Sequence, residues 1–202
     1  MSNNPEPRPS YLPGRDFDQL AIPITRQPRR NWFRVHRSGT SAIQFGIRAH
    51  HRFSHANCPF PLLYAGASFS VCLWEYFGDE IFAGRHVISA ARWNTCSLSR
   101  ISIPSLKVCA LSLEATRNVM GVDKASLLAA DIGIPQQWGL AVQQHPATFE
   151  GIKYSSRFVN QACLALFDRG RLTAKLQETF LGELQDLDAA VDWLDEQGAA
   201  LV

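Results

Sequence analysis

The 202-residue sequence has no CxxC pair, no GxGxxG or Walker-type glycine loop and no GxSxG elbow. It also has no apolar run near the roughly 18 residues that a membrane span needs. Each absence removes a class of function. Five cysteines, Cys58, Cys72, Cys96, Cys109 and Cys163, are odd in number and widely spaced. They read as reduced, mostly buried thiols of a cytosolic protein rather than a disulfide framework. The missing glycine loops disfavour a Rossmann or P-loop nucleotide site. A Ser-His-Asp hydrolase is open to any chain with six histidines, but without the elbow nothing supports it. Lysine and arginine form no long run, and the net charge of +2 is too mild to argue for nucleic acid. The opening MSNNPEPRPSYLPGRD lacks an apolar h-region, so Sec export is not expected.

What is present is an ordinary globular composition, 46% hydrophobic, at a length that suits one domain. The most ordered stretch is LLYAGASFSVCLWEYFG, Leu62 to Gly78. It reads as a short strand ending at Gly66, then Ser68 as N-cap, then a helix with Phe69, Cys72, Leu73 and Tyr76 at helical spacing. Residues 1–31 are rich in Pro, Asn and Arg and are expected to be a loosely ordered extension. Trp32 to His36 alternates like a strand, and Arg85–Ala91 and Leu106–Leu113 read as two more. Arg92 to Pro104 is polar and fits no element. Asp123 caps a short helix over Lys124–Ala130, and Pro135 starts another that Pro146 stops. Phe149–Tyr154 and Ala162–Phe167 read as paired strands. Leu172, Leu176, Phe180, Leu184, Leu187, Val191 and Leu194 recur at three- or four-residue steps, which predicts one long C-terminal helix over about 171–196, packed on the domain. Strands and helices mix without a βαβ rhythm, so the class is α+β.

Residues with chemistry are scattered along this frame: Arg34 in FRV, Arg52 in HRFS, Tyr64 in LLYAG, Glu75 in LWEY, and Ser156 in GIKYSSR, followed by ACLALFDR. Taken singly, each has a bland reading. Arg34 suits a solvated strand, Tyr64 a core ring, and Glu75 a wet helix face. Ser155 also rivals Ser156. His50, His51, His55 and Cys58 mix nitrogen and sulfur within nine residues, but no second half with metal spacing exists, and a polar loop is the simpler reading.

The ordered set, with Glu75 eleven residues after Tyr64, resembles the RES family over about residues 32–168. The segment 169–202 is extra to that pattern. The chain departs from the family where His50 and His51 replace the usual glycines before the second arginine, and where Ser54 replaces a common Asn. The resemblance implies an ADP-ribosyltransferase-like core of mixed or antiparallel sheets with flanking helices. It implies NAD+ as substrate, with no further cofactor and no metal. In the chemistry it implies, nicotinamide leaves a ribose carbon that becomes oxocarbenium-like, stabilised by Glu75. Arg34 and Arg52 fork onto the pyrophosphate, Tyr64 stacks on a ring or orients the ribose, and Ser156 fixes the nicotinamide end. The ADP-ribosyl group then passes to water or phosphate. The alternatives are a protein ADP-ribosyltransferase and a non-catalytic binding module. Some members are bacterial toxins neutralised by a helix-turn-helix antitoxin. The resemblance thus implies an antitoxin or immunity protein as partner and a cytoplasmic site of action in the producing or target cell.

Overall fold

The computed structural model describes residues 12–129 and 131–202. Residues 1–11 of the expected loose extension (1–31) lie outside them, as does Ala130. In chain order the elements are β1 (Ile24–Gln27), β2 (Arg30–Arg37), β3 (Leu62–Gly66), α1 (Phe69–Glu80), β4 (Val87–Ile88), α2 (Ala90–Trp93), β5 (Cys96–Ile103) and β6 (Leu106–Ala110). They continue with α3 (Glu114–Met120), α4 (Lys124–Leu128), α5 (Gly133–Gln144), β7 (Gly151–Ser155), β8 (Ala162–Phe167), β9 (Gln177–Glu183), α6 (Asp188–Glu196) and β10 (Ala200–Leu201). Eight strands make one mixed sheet in the order β1-β6-β7-β8-β3-β2-β5-β9. Every neighbouring pair is antiparallel except β6–β7. This is the expected α+β class.

β3 and β8 lie mid-sheet and are apolar on both faces, which requires a cover on each side. Leu62, Cys163, Ala165 and Phe167 belong to one core, together with Val71, Leu73 and Phe77 of α1 and Trp138 and Val142 of α5. Leu63, Ala65, Leu164 and Leu166 belong to a second core on the other face, closed by Ala42, Leu172 and Leu176. α5 sits close because residue 139 is glycine. A Cβ there would meet the carbonyl oxygen of Phe53 at 2.2 Å, and backbone cannot move aside.

The segment before β2 is more ordered than its composition suggests. Phe17 and Ile22 are buried, with the Phe17 ring 5.5 Å from that of Trp138. β1 pairs with β6 from Ile24 to Gln27. The expected strand at Arg85–Ala91 shrinks to Val87–Ile88, because Ser89 caps a helical turn at Ala90. The polar stretch that fitted no element is β5, which pairs with β2 along its whole length. Its Ser97 and Ser99 are buried, so hydroxyls stand where core residues were sought.

The single long C-terminal helix is not formed. A 3-10 turn (Leu172–Lys175) leads into strand β9, a second turn (Leu184–Asp186) follows, and only α6 is helical. The helical stripe was partly accidental, since Phe180 and Val191 are exposed. Gly182, inside the stripe, adopts φ +154°, and the β5–β9 register shifts opposite it at Leu98/Ser99. A glycine within a periodic run is a breaker signal that the apolar spacing masked. Strand pairing is favoured because two β9 carboxylates reach the buried serines. Glu178 accepts from Ser99 Oγ at 2.8 Å, Ser41 Oγ at 2.6 Å and the Ala42 amide at 2.9 Å. Glu183 accepts from Ser97 Oγ at 2.8 Å and from Ser38.

Burial alone would raise the pKa of Glu178, but these hydrogen bonds outweigh it and hold the carboxyl below its ordinary value of 4.5. Hydrogen bonds from Ser38, then Ser97, hold Glu183 low as well. A carboxylate stabilised in the native state contributes above its unfolded pKa, and its contribution is lost as pH falls through the folded value. Glu178→Ala should cost about 2 kcal/mol at neutral pH, the scale of removing charge-assisted hydrogen bonds. The deficit should shrink below about pH 4.5, where the wild type loses the same bonds. Urea midpoints measured from pH 7 to pH 3 check both.

Candidate functional site

The joint between β3 and α1 sets the site. Ser68 Oγ accepts from the Val71 amide at 3.3 Å and caps α1, while its own proton goes to Gln161 Oε1 at 2.6 Å. A Cβ on Gly66 would lie 2.5 Å from Val71 Cγ1 and 2.6 Å from Cys72 Sγ. Glycine thus lets the strand end and the helix start nearly touch. α1 then turns Cys72, Glu75, Tyr76 and Asp79 onto one face at helical spacing, and that face walls a cleft of about 780 Å³. The opposite walls come from β2 (Phe33 to Arg37), Tyr64 of β3, and the loop Arg48–Arg52. Five arginines, Arg34, Arg37, Arg48, Arg52 and Arg157, face two carboxylates, Glu75 and Asp79.

Glu75 is clasped from behind. Ser156 Oγ donates to Oε1 at 2.6 Å, and Tyr154 OH lies 3.4 Å from Oε2. Both donors sit on or just past β7 two residues apart, so the strand's period aims them to the same side. Glu75 is exposed by surface area because the cleft is open, yet protein atoms crowd it. That crowding governs its ionisation. Burial raises its pKa above the usual carboxylate range, against the opposing effects of the Ser156 hydrogen bond and the Arg52 charge.

Arg34, on β2, donates from Nη1 to the Tyr64 carbonyl at 3.2 Å. Burial, then the Arg48 charge, lowers its pKa to about 10, which leaves it cationic at neutral pH. Arg52 spends Nη1 on the carbonyls of Leu127 (2.7 Å) and Ala129 (3.0 Å), and so anchors the end of α4 as well as lining the cleft. The Tyr64 hydroxyl accepts from the Phe53 amide at 3.0 Å, which fixes the ring, and burial pushes its pKa well up. The structure therefore gathers Arg34, Arg52, Tyr64 and Glu75 around one cleft. Ser156 is buried and reaches that cleft through Glu75 rather than as a wall residue.

Sequence reasoning gave no site role to Tyr154, Arg48 or Arg157, and weighed His51 only as a metal ligand and as a departure from the family pattern. Tyr154 was legible as the residue two before Ser156 on a strand. Arg157 carried no such signal, because its place depends on pairing with Asp79 and lying 4.4 Å over the Phe158 ring. In the histidine loop, His50 and His51 stay together, with ring centroids 4.5 Å apart, whereas His55 and Cys58 turn to other partners, and among the described residues no three or more His, Cys, Asp or Glu side chains gather as metal ligands. His51 lines the cleft, His55 Nδ1 accepts from the Asn57 amide, and Cys58 Sγ lies 3.8 Å from the Phe53 carbonyl. All five cysteines are buried with free thiols. Among the described residues no helix is long and apolar enough to cross a membrane.

Ser156→Ala removes the strongest counterweight to burial at Glu75. The Glu75 carboxyl should then titrate at higher pH than in the wild type. Carboxyl carbon NMR over pH 3–8 is the measurement, and an unmoved titration would mean that the 2.6 Å bond does not govern its charge.

Comparisons with known proteins place this geometry. No curated protein sequence matches the chain, whereas seven solved chains match its structure. One is the MbcT toxin in the crystal structure of the M. tuberculosis MbcT–MbcA toxin–antitoxin complex. It aligns with a TM-score of 0.58 at 17% identity, covering 87% of this chain and 93% of that one. At that identity the likeness shows a shared fold. The sequence itself matches the RES domain over residues 29–192, and this chain belongs to the RES domain family.

Proposed function

We propose that this chain is a toxin-like enzyme that cleaves the nicotinamide–ribose bond of NAD+. One observation carries the reading. Glu75, a carboxylate clasped by Ser156 and Tyr154, stands in a cleft of about 780 Å³ with an excess of arginines. A cleft of that size suits a dinucleotide, and its cationic lining suits a pyrophosphate. In the step proposed, the bond between ribose C1′ and the pyridinium nitrogen breaks, and its electron pair leaves with nicotinamide as a neutral base. The ribose carbon becomes oxocarbenium-like. The Glu75 carboxylate stabilises that charge and accepts a hydrogen bond from a ribose hydroxyl. Water then adds at C1′ and loses a proton to give ADP-ribose. Arg34 draws the pyrophosphate in, and Tyr64 presents a fixed ring face to the ribose or the base.

A carboxylate that must be ionised gives an acid limb to activity. Burial raises the Glu75 pKa, so that limb should lie above the ordinary glutamate range. Because a toxin needs restraint, we also propose a protein antitoxin as partner, on the analogy of the MbcT–MbcA complex.

The purified protein should release nicotinamide from NAD+ without added lysate, and Glu75→Gln should lower kcat by about 10²-fold or more. Arg34→Lys should raise KM, since a point charge cannot reproduce a fork. Phosphate added to the assay distinguishes water from phosphate as acceptor. Labelled protein bands in lysate, without free ADP-ribose, would replace hydrolysis by protein modification. Full activity in Glu75→Gln would sink the assignment.

A further inference from the structure

The loop between β7 and β8 is laid along α1 and fastened to it at both ends. At the start of the helix, Ser68 Oγ donates to Gln161 Oε1 at 2.6 Å, and the Ala67 amide bonds the Ala162 carbonyl at 2.9 Å. Near its end, Arg157 pairs with Asp79. Between these points Ser156 reaches Glu75, and Phe158 lies on Gly78. Three consecutive loop residues thus engage two adjacent ridges of the helix. Glu75 and Asp79, four apart, take Ser156 and Arg157. Trp74, Gly78 and Phe82, at the same four-residue step, take the Phe158 ring.

Gly78 is the notch that admits this ring. It lies within α1 and has no positive φ that would call for glycine, so its missing side chain serves the ring instead. A Cβ there would stand 2.8 Å from Phe158 Cε1 and Cζ and 2.9 Å from Cδ1. Trp74 and Phe82 lie close to parallel with the ring, their centroids 6.1 and 5.5 Å away. Ser156 Oγ accepts from the Phe158 amide at 3.2 Å and the Val159 amide at 3.4 Å, and donates to Glu75 at 2.6 Å. The hydroxyl is therefore tied to the same backbone that the ring holds down. The Arg157–Asp79 pair is the weaker fastening, because the Asp79 side chain is 80% exposed and water screens the attraction. We propose that Phe158 is a positioning residue, and that its seat on Gly78 holds the Ser156 hydroxyl against the Glu75 carboxylate.

The state of Glu75 reads out that seat. The Ser156 bond opposes the upward push of burial, so lifting the ring out of the notch raises the pH at which Glu75 ionises. The groups that act on the carboxyl are Tyr64 of β3, Cys72 of α1, Tyr154 of β7, Cys163 of β8, Arg52 and Arg157. Burial pushes both phenols and both thiols up, so none of the four ionises between pH 3 and pH 8. A changed titration of Glu75 in that range reports either the Ser156 bond or a displaced arginine charge.

Carboxyl carbon NMR of Glu75 in full-length Gly78→Ala tests the seat without substrate. The added methyl displaces the ring, and Glu75 should titrate at higher pH than in the wild type, though not as high as in Ser156→Ala. In the Ser156→Ala background, Gly78→Ala should add no further shift, because the bond it loosens is already gone. Phe158→Leu, which empties the notch without a clash, should move the titration the same way, and it carries the test if Gly78→Ala does not fold. Thermal midpoints establish folding, and alanine is itself the better helix former. An unmoved titration in the folded variants overturns the proposal. So does a shift that persists in the Ser156→Ala background, since it would come from the Arg157 charge. The activity arm rests on the NAD+ reading. In it the acid limb of kcat should move with the titration while KM stays within about twofold. A raised KM with an unmoved limb would make Phe158 a substrate contact and overturn the positioning role. A wild type that does not cleave NAD+ overturns that reading, and the titration still decides the seat.

Discussion

The near-contact of Gly66 with the first turn of α1 is the constraint from which the rest follows. A Cβ at Gly66 would lie within 2.6 Å of Val71 Cγ1 and Cys72 Sγ, so any larger side chain would force the first turn of α1 to repack. That approach lets Ser68 cap the helix and sets the rotation of α1 against the sheet. Rotation decides which residues are core and which face the cleft. Val71, Leu73 and Phe77 go inward, while Glu75 is delivered to the wall that Tyr64 and Arg34 already form. The eleven-residue interval from Tyr64 to Glu75 is the sequence image of this joint. Only Ala67 and Ser68 separate the end of β3 from the start of α1, and Glu75 is the seventh residue of the helix.

Where local signals were strong, the fold was legible. Ser68 and Asp123 marked helix starts that the structure contains, Pro135 lies two residues inside the start of α5, and the apolar runs of β3 and β8 form strands buried on both faces. The misses share a physical cause. β5 and β9 are joined by hydroxyl–carboxylate hydrogen bonds rather than by apolar side chains alone, so hydrophobic spacing could not find the first and misnamed the second. Ser97 and Ser99 are core residues only because Glu183 and Glu178 reach them across the strand pair. A buried serine is tolerated where its proton has an acceptor, and that acceptor lies some eighty residues away in the chain. Nothing within a local window announces it.

The same limit shaped the reading of the site. Arg34, Arg52, Tyr64 and Glu75 were recognisable as an ordered set, and each reaches the cleft. The partners that define their state were not recognisable in the same way. Tyr154 and Ser156, on and just past β7, set the environment of Glu75 from about eighty residues further along the chain. Arg52 is divided between the cleft and the carbonyls of α4, so a substitution there changes a helix end as well as a wall. Ser156 sits behind the carboxylate, and its chemistry is exerted through Glu75's charge.

Burial acts in opposite directions on the two ends of this machinery, and the opposition is useful. It raises Glu75 and lowers Arg34, disfavouring the ionised form of each. Hydrogen bonds offset part of the cost at Glu75. At Arg34 the hydrogen bond goes to a neutral carbonyl, and no carboxylate lies within ion-pair distance among the described residues. With its pKa at about 10, Arg34 remains a cation, offset by the charge of Glu178 acting from beyond ion-pair distance. A buried cation in that condition is stabilised by any anion that enters beside it, and Arg48 adds to the same field. The cleft is thus electrostatically suited to an anionic ligand beside Arg34, while its one clasped carboxylate suits developing positive charge rather than phosphate.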